Sequence, residues 1–455
     1  MGHRLGIHQN YDQLFEEGEG GEKVRQSGIY PKQPLLSEEE WEAINTFYLA
    51  LSDSASATKP NPLRPISQAN FKIRKTGLRI FPPMTAMVSI DTRKGGLFVG
   101  DVKSDGSSLT RLDFRLQEAE KVFLPAIPVQ IQQRGNVFFV TSIGNLLPSD
   151  NPEGSLLQLI NHETGKGFKG FIRVLPKLQR PVQAGFADFN KDGEEGLVVA
   201  EFGNLTGGLR YYYRTKKGEW SRQAIKDQPG ALAAQVADFN QDGFEDVLAL
   251  FGQGDECISL FENQGGKGFK EKCLLRFPPT YGSTSMQATD FNQDGYWDIL
   301  YTCGDNADFM PLPRPYHGIR IFLNDGANNF EEAFFFAQNG AYKAQAFDFD
   351  EDGDLDIASI AFFPDFANRP REGFVFLENK GSFQFTSYGL DPEFGRWMVM
   401  DCGDVDLDGD LDIALGSFIP FELLDDKNGL YAHWMNKGES ILIIENLLNP
   451  KKDES

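Results

Sequence analysis

A nine-residue acidic pattern recurs five times from residue 188 onward, and it limits the possible fold more than any other feature. The copies are DFNKDGEEG from 188, DFNQDGFED from 238, DFNQDGYWD from 290, DFDEDGDLD from 348 and DVDLDGDLD from 404. They start 50 to 58 residues apart. A short apolar or alternating run such as AAQVA precedes each copy, and a β-rich run follows it. A second hairpin signal comes next in LFENQGGKGF (260–269), IFLNDGANNF (321–330) and FLENKGSFQF (376–385). Asn and Gly in these turns offer the positive φ that a tight hairpin needs. One period therefore holds about four short antiparallel strands, which is a propeller blade. Helical periodicity is missing from these segments, so a helical solenoid is rejected.

Two further periods precede the acidic ones. TAMVSIDTRKGGLFVGDV (85–102) has the strand–turn–strand shape with its loop cut to DTRKGG. NVFFVTSIGN (136–145) and SLLQLINHETGKGFKGFIRVL (155–175) make another without an acidic loop. Five and two give an all-β fold: a seven-bladed β-propeller of four-stranded antiparallel blades over 66–449. The last period lacks a fourth strand, and an open edge is a liability. NFKIRKTGL (70–78) alternates Phe71 and Ile73 with Lys72 and Arg74, so it is expected to complete that blade. Residues 1–65 read as a short helical appendage and linker, and 450–455 as a tail. Ser37 and Glu40 form a capping box ahead of Trp41, Ile44, Tyr48 and Leu51, which predicts a helix over 38–51. SDSASATKPNPLRP (52–65) reads as a polar linker.

The formal net charge is −22, with a pI near 4.7. That field repels a phosphate backbone, so nucleic acid is not an expected partner. No apolar run is long enough for a membrane span. MGHRLGIHQNYDQ lacks a signal-peptide core, so either the chain is intracellular or its export signal lies outside this sequence. Cys257, Cys273, Cys303 and Cys402 make no CxxC or CxxCH pair, so zinc and haem attachment motifs are missing. Cys257 and Cys273 flank a hairpin and are candidates for a disulfide, with free thiols as the alternative.

The loops carry oxygen donors at positions 1, 3, 5 and 9, and Gly at position 6, the pattern of a Ca²⁺ loop. An EF-hand would add a Glu at position 12 on a helix; here Val199, Ala249, Tyr301, Ser359 and Leu415 stand in apparent strands. Two loops offer four carboxylates: Asp348, Asp350, Asp352, Asp356 and Asp404, Asp406, Asp408, Asp412. Two offer three and an amide: Asp238, Asn240, Asp242, Asp246 and Asp290, Asn292, Asp294, Asp298. The first has Asp188, Asn190 and Asp192, but Gly196 stands at the ninth position, leaving a weak or empty fifth site unless Glu195 substitutes. Carboxylates crowded into one turn repel each other until a divalent ion neutralises them.

DxDxDGxxD loops repeated in a propeller resemble the FG-GAP/VCBS repeat family, which includes the integrin α-subunit propeller and bacterial secreted proteins. The resemblance covers roughly 80–449 and implies calcium at the loop residues just named, except at Gly196. GDNADFMPLPRPYHGIRIFLND (304–325) and GRWMVMDCGDVDLDGDLDIALGSF (395–418) are similar to Bacteroidetes-type VCBS proteins, in which a cytochrome c-like segment often precedes the propeller. MGHRLGI followed by YPKQPLLSEEEWEAINTFYLAL resembles the end of that segment. This would make Met1 a former haem ligand in a longer chain; an ordinary start codon is the simpler reading. Family members are mostly exported, which implies an extracytoplasmic location.

Within a blade, the acidic loops join strands one and two, so the loops between strands two and three open at the other end. Three of these are long: 304–318, 362–373 and 418–439. They carry Asp305, Asp308, Tyr316, His317, Arg369, Arg371, Tyr431, His433 and Trp434 as ligand-face candidates. Aromatic groups beside polar ones suit a sugar or a peptide; packing over the channel is the structural alternative. The expected function is a monomeric, calcium-binding module for a protein or glycan. The alternatives are a polysaccharide lyase or hydrolase on the same scaffold, and a partner domain for a c-type cytochrome.

Overall fold

The computed structural model describes residues 26–29, 31–52, 61–103, 106–162, 167–305, 313–420, 423 and 426–448. It is a seven-bladed β-propeller. The blades span 85–124, 128–178, 181–226, 231–276, 283–337, 341–389 and 397–446, and the last gains its fourth strand from Phe71–Lys75. Each blade is an antiparallel four-stranded sheet with strand one at one edge and strand four at the other, and blade six carries a short fifth strand in parallel. The chain divides into two compact units. One holds 145–153 and 178–280 with the described residues before 59; the other holds 59–144, 154–177 and the rest from 281.

The second strand explains the apolar run that follows each acidic loop. Gly196–Glu201, Asp246–Phe251, Asp298–Cys303, Asp356–Ala361 and Asp412–Ser417 are buried at every residue. A strand covered on both faces has no need to alternate. Fourth strands such as Phe269–Arg276 keep more polar, exposed positions.

The first strands solve a different problem, because within each unit the free edge of a sheet meets the neighbouring blade without a ladder. Side chains supply the missing hydrogen bonds. Gln287 Oε1 accepts the Ala346 N–H at 2.8 Å, and its Nε2 donates to the Ala346 carbonyl at 3.2 Å. Ser285 Oγ accepts the Ala344 N–H, Asp401 Oδ2 accepts the Ile90 N–H, and Lys343 Nζ donates to the Met400 carbonyl. In the other unit Gln183 Oε1 accepts the Ala234 N–H.

Phe71–Lys75 runs antiparallel to Ile441–Asn446, from Phe71 opposite Asn446 to Lys75 opposite Leu442. Phe71 is buried edge-on against Phe349 and Phe376, so the added strand is anchored in the core between blades six and seven. Part of the expected linker belongs to the propeller as well. Arg64–Pro65 pairs in parallel with Phe385–Gly389, Asn61 Nδ2 donates to the Ala337 carbonyl, and Ser387 Oγ donates to the Pro62 carbonyl. The helix is Glu38–Ser52, and its capping box forms: Glu40 N donates to Ser37 Oγ, and Ser37 N to Glu40 Oε2. Met1 and the proposed haem-ligand remnant lie outside the described residues.

Cys257 lies opposite Arg276, whereas Cys273 lies opposite Ser259, so the two are staggered across their hairpin, and the four cysteines are thiols with no disulfide between them. One expectation is corrected. Asn263, Asn324 and Asn379 do not supply positive φ; Gly265, Gly266, Gly326 and Gly381 do, together with Asn328 in the second turn and Ser382 and Phe383 in the third. The asparagine amides instead bind backbone around the acidic loop, as Asn263 Nδ2 does to the Phe189 and Glu245 carbonyls.

Candidate functional site

The five acidic loops share one internal geometry. The first aspartate accepts the N–H of the position-6 glycine at 2.8 to 3.1 Å. Those glycines have φ between 88° and 100°, where a side chain would be strained. Position 4 is also left-handed in every loop, at Lys191, Gln241, Gln293, Glu351 and Leu407, with φ from 54° to 66°. This double reversal turns the side chains of positions 1, 3 and 5 towards one another. Carboxylate oxygens of Asp348, Asp350 and Asp352 all lie within 4.8 Å of one another, as do those of Asp404, Asp406 and Asp412. These two acidic triads are arranged so that they could hold a metal ion.

The ninth position opens strand two and is a brace as well as a donor. Asp298 accepts the Phe291 and Asn324 N–H groups, Asp356 those of Phe349 and Asn379, and Asp412 those of Val405 and Asn446. Asp246 accepts the Asn263 N–H at 2.7 Å, with the Phe239 N–H directed at the same carboxylate. Asp348 Oδ1 is buried without a hydrogen-bond partner. Burial, reinforced by neighbouring carboxylates, pushes Asp356 and Asp412 up to about 8 and Asp246 up to about 6. A bound divalent cation would reverse that pressure by favouring the ionised form. Hard oxygens and an orphaned buried carboxylate atom fit Ca²⁺, which takes six to eight oxygen ligands in irregular geometry.

Blade three departs from the pattern for a visible reason. A Cβ at Gly196 would lie 2.7 Å from Tyr211 Cε2 and 3.0 Å from Tyr211 Oη, so the phenol fills the ninth ligand's place. Burial, with Asp192 and Asp188 nearby, pushes that phenol up to about 12. Glu195 is exposed. In blade one, the shortened loop keeps Asp91 and satisfies it with Arg111 at 3.0 Å rather than with further acids.

At the other end of blades five to seven, the candidate ligand residues divide into packed and accessible groups. Trp434 is buried, donates Nε1–H to the Pro392 carbonyl at 2.7 Å and packs edge-on against Phe366. It holds the helix Leu430–Lys437 to the loop 362–373 and offers no ligand surface; Tyr431 packs on the same cluster. His317 is 1% exposed, and its Nδ1 has no hydrogen-bond partner. Burial and the nearby Arg314 and Arg320 guanidiniums push it down to about 4, so the ring is neutral at physiological pH. Tyr316 stacks on Tyr281 at 4.9 Å, and Arg369 lies 3.7 Å from Glu372. Asp305 and Arg371 are exposed and His433 is half-buried. Asp308 lies outside the described residues.

The three loops are connected. Asn428 Nδ2 donates to the Phe366 carbonyl, joining the second and third. Gln338 joins the first and second: its N–H donates to the His317 carbonyl and its Nε2 to the Glu372 carbonyl. Sequence reasoning missed Gln338 and Tyr211 because neither lies in a motif.

The model of the FG-GAP-like repeat matches residues 188–249 and 238–301. The chain thus carries FG-GAP-like repeats within a seven-bladed β-propeller. Among solved structures, the N-terminal domain of Nup159 is similar at 11% identity, with 86% of this chain and 99% of that one covered and a TM-score of 0.46. The Pseudomonas aeruginosa periplasmic gluconolactonase PpgL is similar at 15% identity, covering 67% and 85%, with a TM-score of 0.42. The Dos1 propeller is similar at 9% identity, covering 80% and 77%, with a TM-score of 0.46. Likeness at this level says nothing of ligand or activity. No described helix is long and apolar enough to cross a membrane.

Proposed function

We propose that the protein is an exported propeller whose acidic loops bind Ca²⁺ and whose opposite loop end binds a protein or glycan. The observation that carries the calcium reading is the triad Asp348, Asp350 and Asp352: one carboxylate oxygen from each lies within 4.8 Å of the others, and Asp348 Oδ1 is buried without a hydrogen-bond partner. An unpartnered buried carboxylate oxygen is costly, and a cation supplies what the protein does not. Loops of this type bind calcium at about 0.1–1 mM in extracellular modules, a concentration met outside the cytoplasm. Calcium here staples blades and leaves recognition to the loops at the other end.

Those loops support a binding role because they are long, mutually braced and mounted on a rigid scaffold. Of the candidate residues on them, Asp305 and Arg371 are exposed and Tyr316 and His433 half-buried. The test is a melting curve in calcium and in EDTA, followed by glycan-array and protein capture with the calcium-loaded chain. An unchanged melting temperature in EDTA would overturn the calcium reading. Wild-type binding that survives Arg371→Ala combined with His433→Ala would overturn the assignment of the loop end.

A further inference from the structure

The third position of the loops divides in two. In blades three to five it is an asparagine, and the amides of Asn190, Asn240 and Asn292 donate to Oδ2 of the position-5 aspartate at 2.8 to 3.0 Å. In blades six and seven it is an aspartate, which adds a charge to the site. Each of these extra carboxylates has a basic side chain beside it. Arg74 Nη1 lies 3.5 Å from Asp406 Oδ2, and Lys380 Nζ lies 4.0 Å from Asp350 Oδ2.

Both bases also hold a second acid. Arg74 lies 3.7 Å from Glu445, and Lys380 lies 2.8 Å from Glu378. The two arrangements arise differently, since Arg74 comes from the added strand Phe71–Lys75 and Lys380 from the hairpin after Phe374–Asn379. Their common result is a cation at the third-position carboxylate and an alternative acid within reach.

We infer that Arg74 and Lys380 are resident counter-cations of the last two loops. Each is shared between the third-position carboxylate and a glutamate in the metal-free protein, and is held by the glutamate alone when a divalent ion enters. This inference rests on the calcium reading above and adds a regulation to it. Loops of blades six and seven hold their ions against an internal competitor; in blades four and five the third position is an uncharged asparagine, and among the described residues no base pairs with it. In blade seven the competitor lies on the strand that completes the blade, so ion binding there is coupled to the seating of that strand.

The experiment is equilibrium dialysis of the full chain over a series of free calcium concentrations, with melting curves in EDTA. Arg74→Gln and Lys380→Gln are each expected to shift uptake of one ion to about three- to tenfold lower calcium, the effect of removing one charge some 4 Å from the site. Asp238→Asn, in a loop whose third position is an uncharged asparagine, should weaken one site and shift none to lower calcium. Lys380 is half-exposed, so Lys380→Gln keeps the test decisive if Arg74→Gln fails to fold. Normal wild-type uptake with unshifted or weakened affinity in the variants overturns this inference alone. No uptake by the wild-type chain overturns the calcium reading and this inference together.

Discussion

The side-chain amide of Gln287 brackets the backbone of Ala346, accepting its N–H at 2.8 Å and donating to its carbonyl at 3.2 Å. One side chain thereby does the work of two ladder bonds at an edge where the neighbouring first strand offers none. Ala346 is buried, so the groups it leaves behind cannot turn to bulk water. Gln287→Ala should cost about 1–3 kcal/mol, because a buried N–H is left unsatisfied. Urea denaturation would show it as a lower midpoint with an unchanged slope.

Backbone strain in the loops gives a gain instead of a loss. Glu351 is exposed at φ 57°, a conformation that Asn tolerates better than Glu. Glu351→Asn should stabilise the protein by about 0.5–1 kcal/mol, and the same denaturation experiment checks it.

Restoring the pattern at blade three should fail. Gly196→Asp puts a Cβ against the Tyr211 ring, so it is expected to destabilise by about 1–3 kcal/mol, as overpacking does, without adding a calcium site. Combined with Tyr211→Ala it should add one ion per chain. Calcium counting on the single and double variants separates the two effects.

Acid–base behaviour should invert with metal. In the metal-free protein, Asp356 and Asp412 are raised to about 8 from an ordinary value near 4. A raised carboxyl holds its proton more tightly when folded, so its contribution is full at low pH. That contribution is lost as pH rises from about 4 through about 8. In EDTA these two groups should therefore lower the melting temperature across this window. In saturating calcium the ionised form is the bound one, and the gap between the two curves should widen with pH. A gap that narrows would show that these carboxylates do not face the ion.

Much of the fold is legible in the sequence because its cause is local. The DxNxDG turns set the period, the apolar run after each reports a strand covered on both faces, and the alternation of Phe71 and Ile73 marks an edge strand. What is not legible depends on neighbours brought together by folding. Nothing in AYKAQAF tells that Ala346 will be held by Gln287, 59 residues earlier. Trp434 and His317 look like ligand residues from their surroundings in the chain, yet they are buried. Tyr211 closes the blade-three loop from the following strand, so Gly196 reads as a lost ligand when it is a space kept for a ring.

The most direct measurement is the number of calcium ions per chain at saturating free calcium, by equilibrium dialysis of the wild-type protein. Four are expected, one for each loop with an aspartate at its ninth position. A count of zero, or one that is unchanged by Asp246→Asn, would contradict the assignment of these loops as calcium sites.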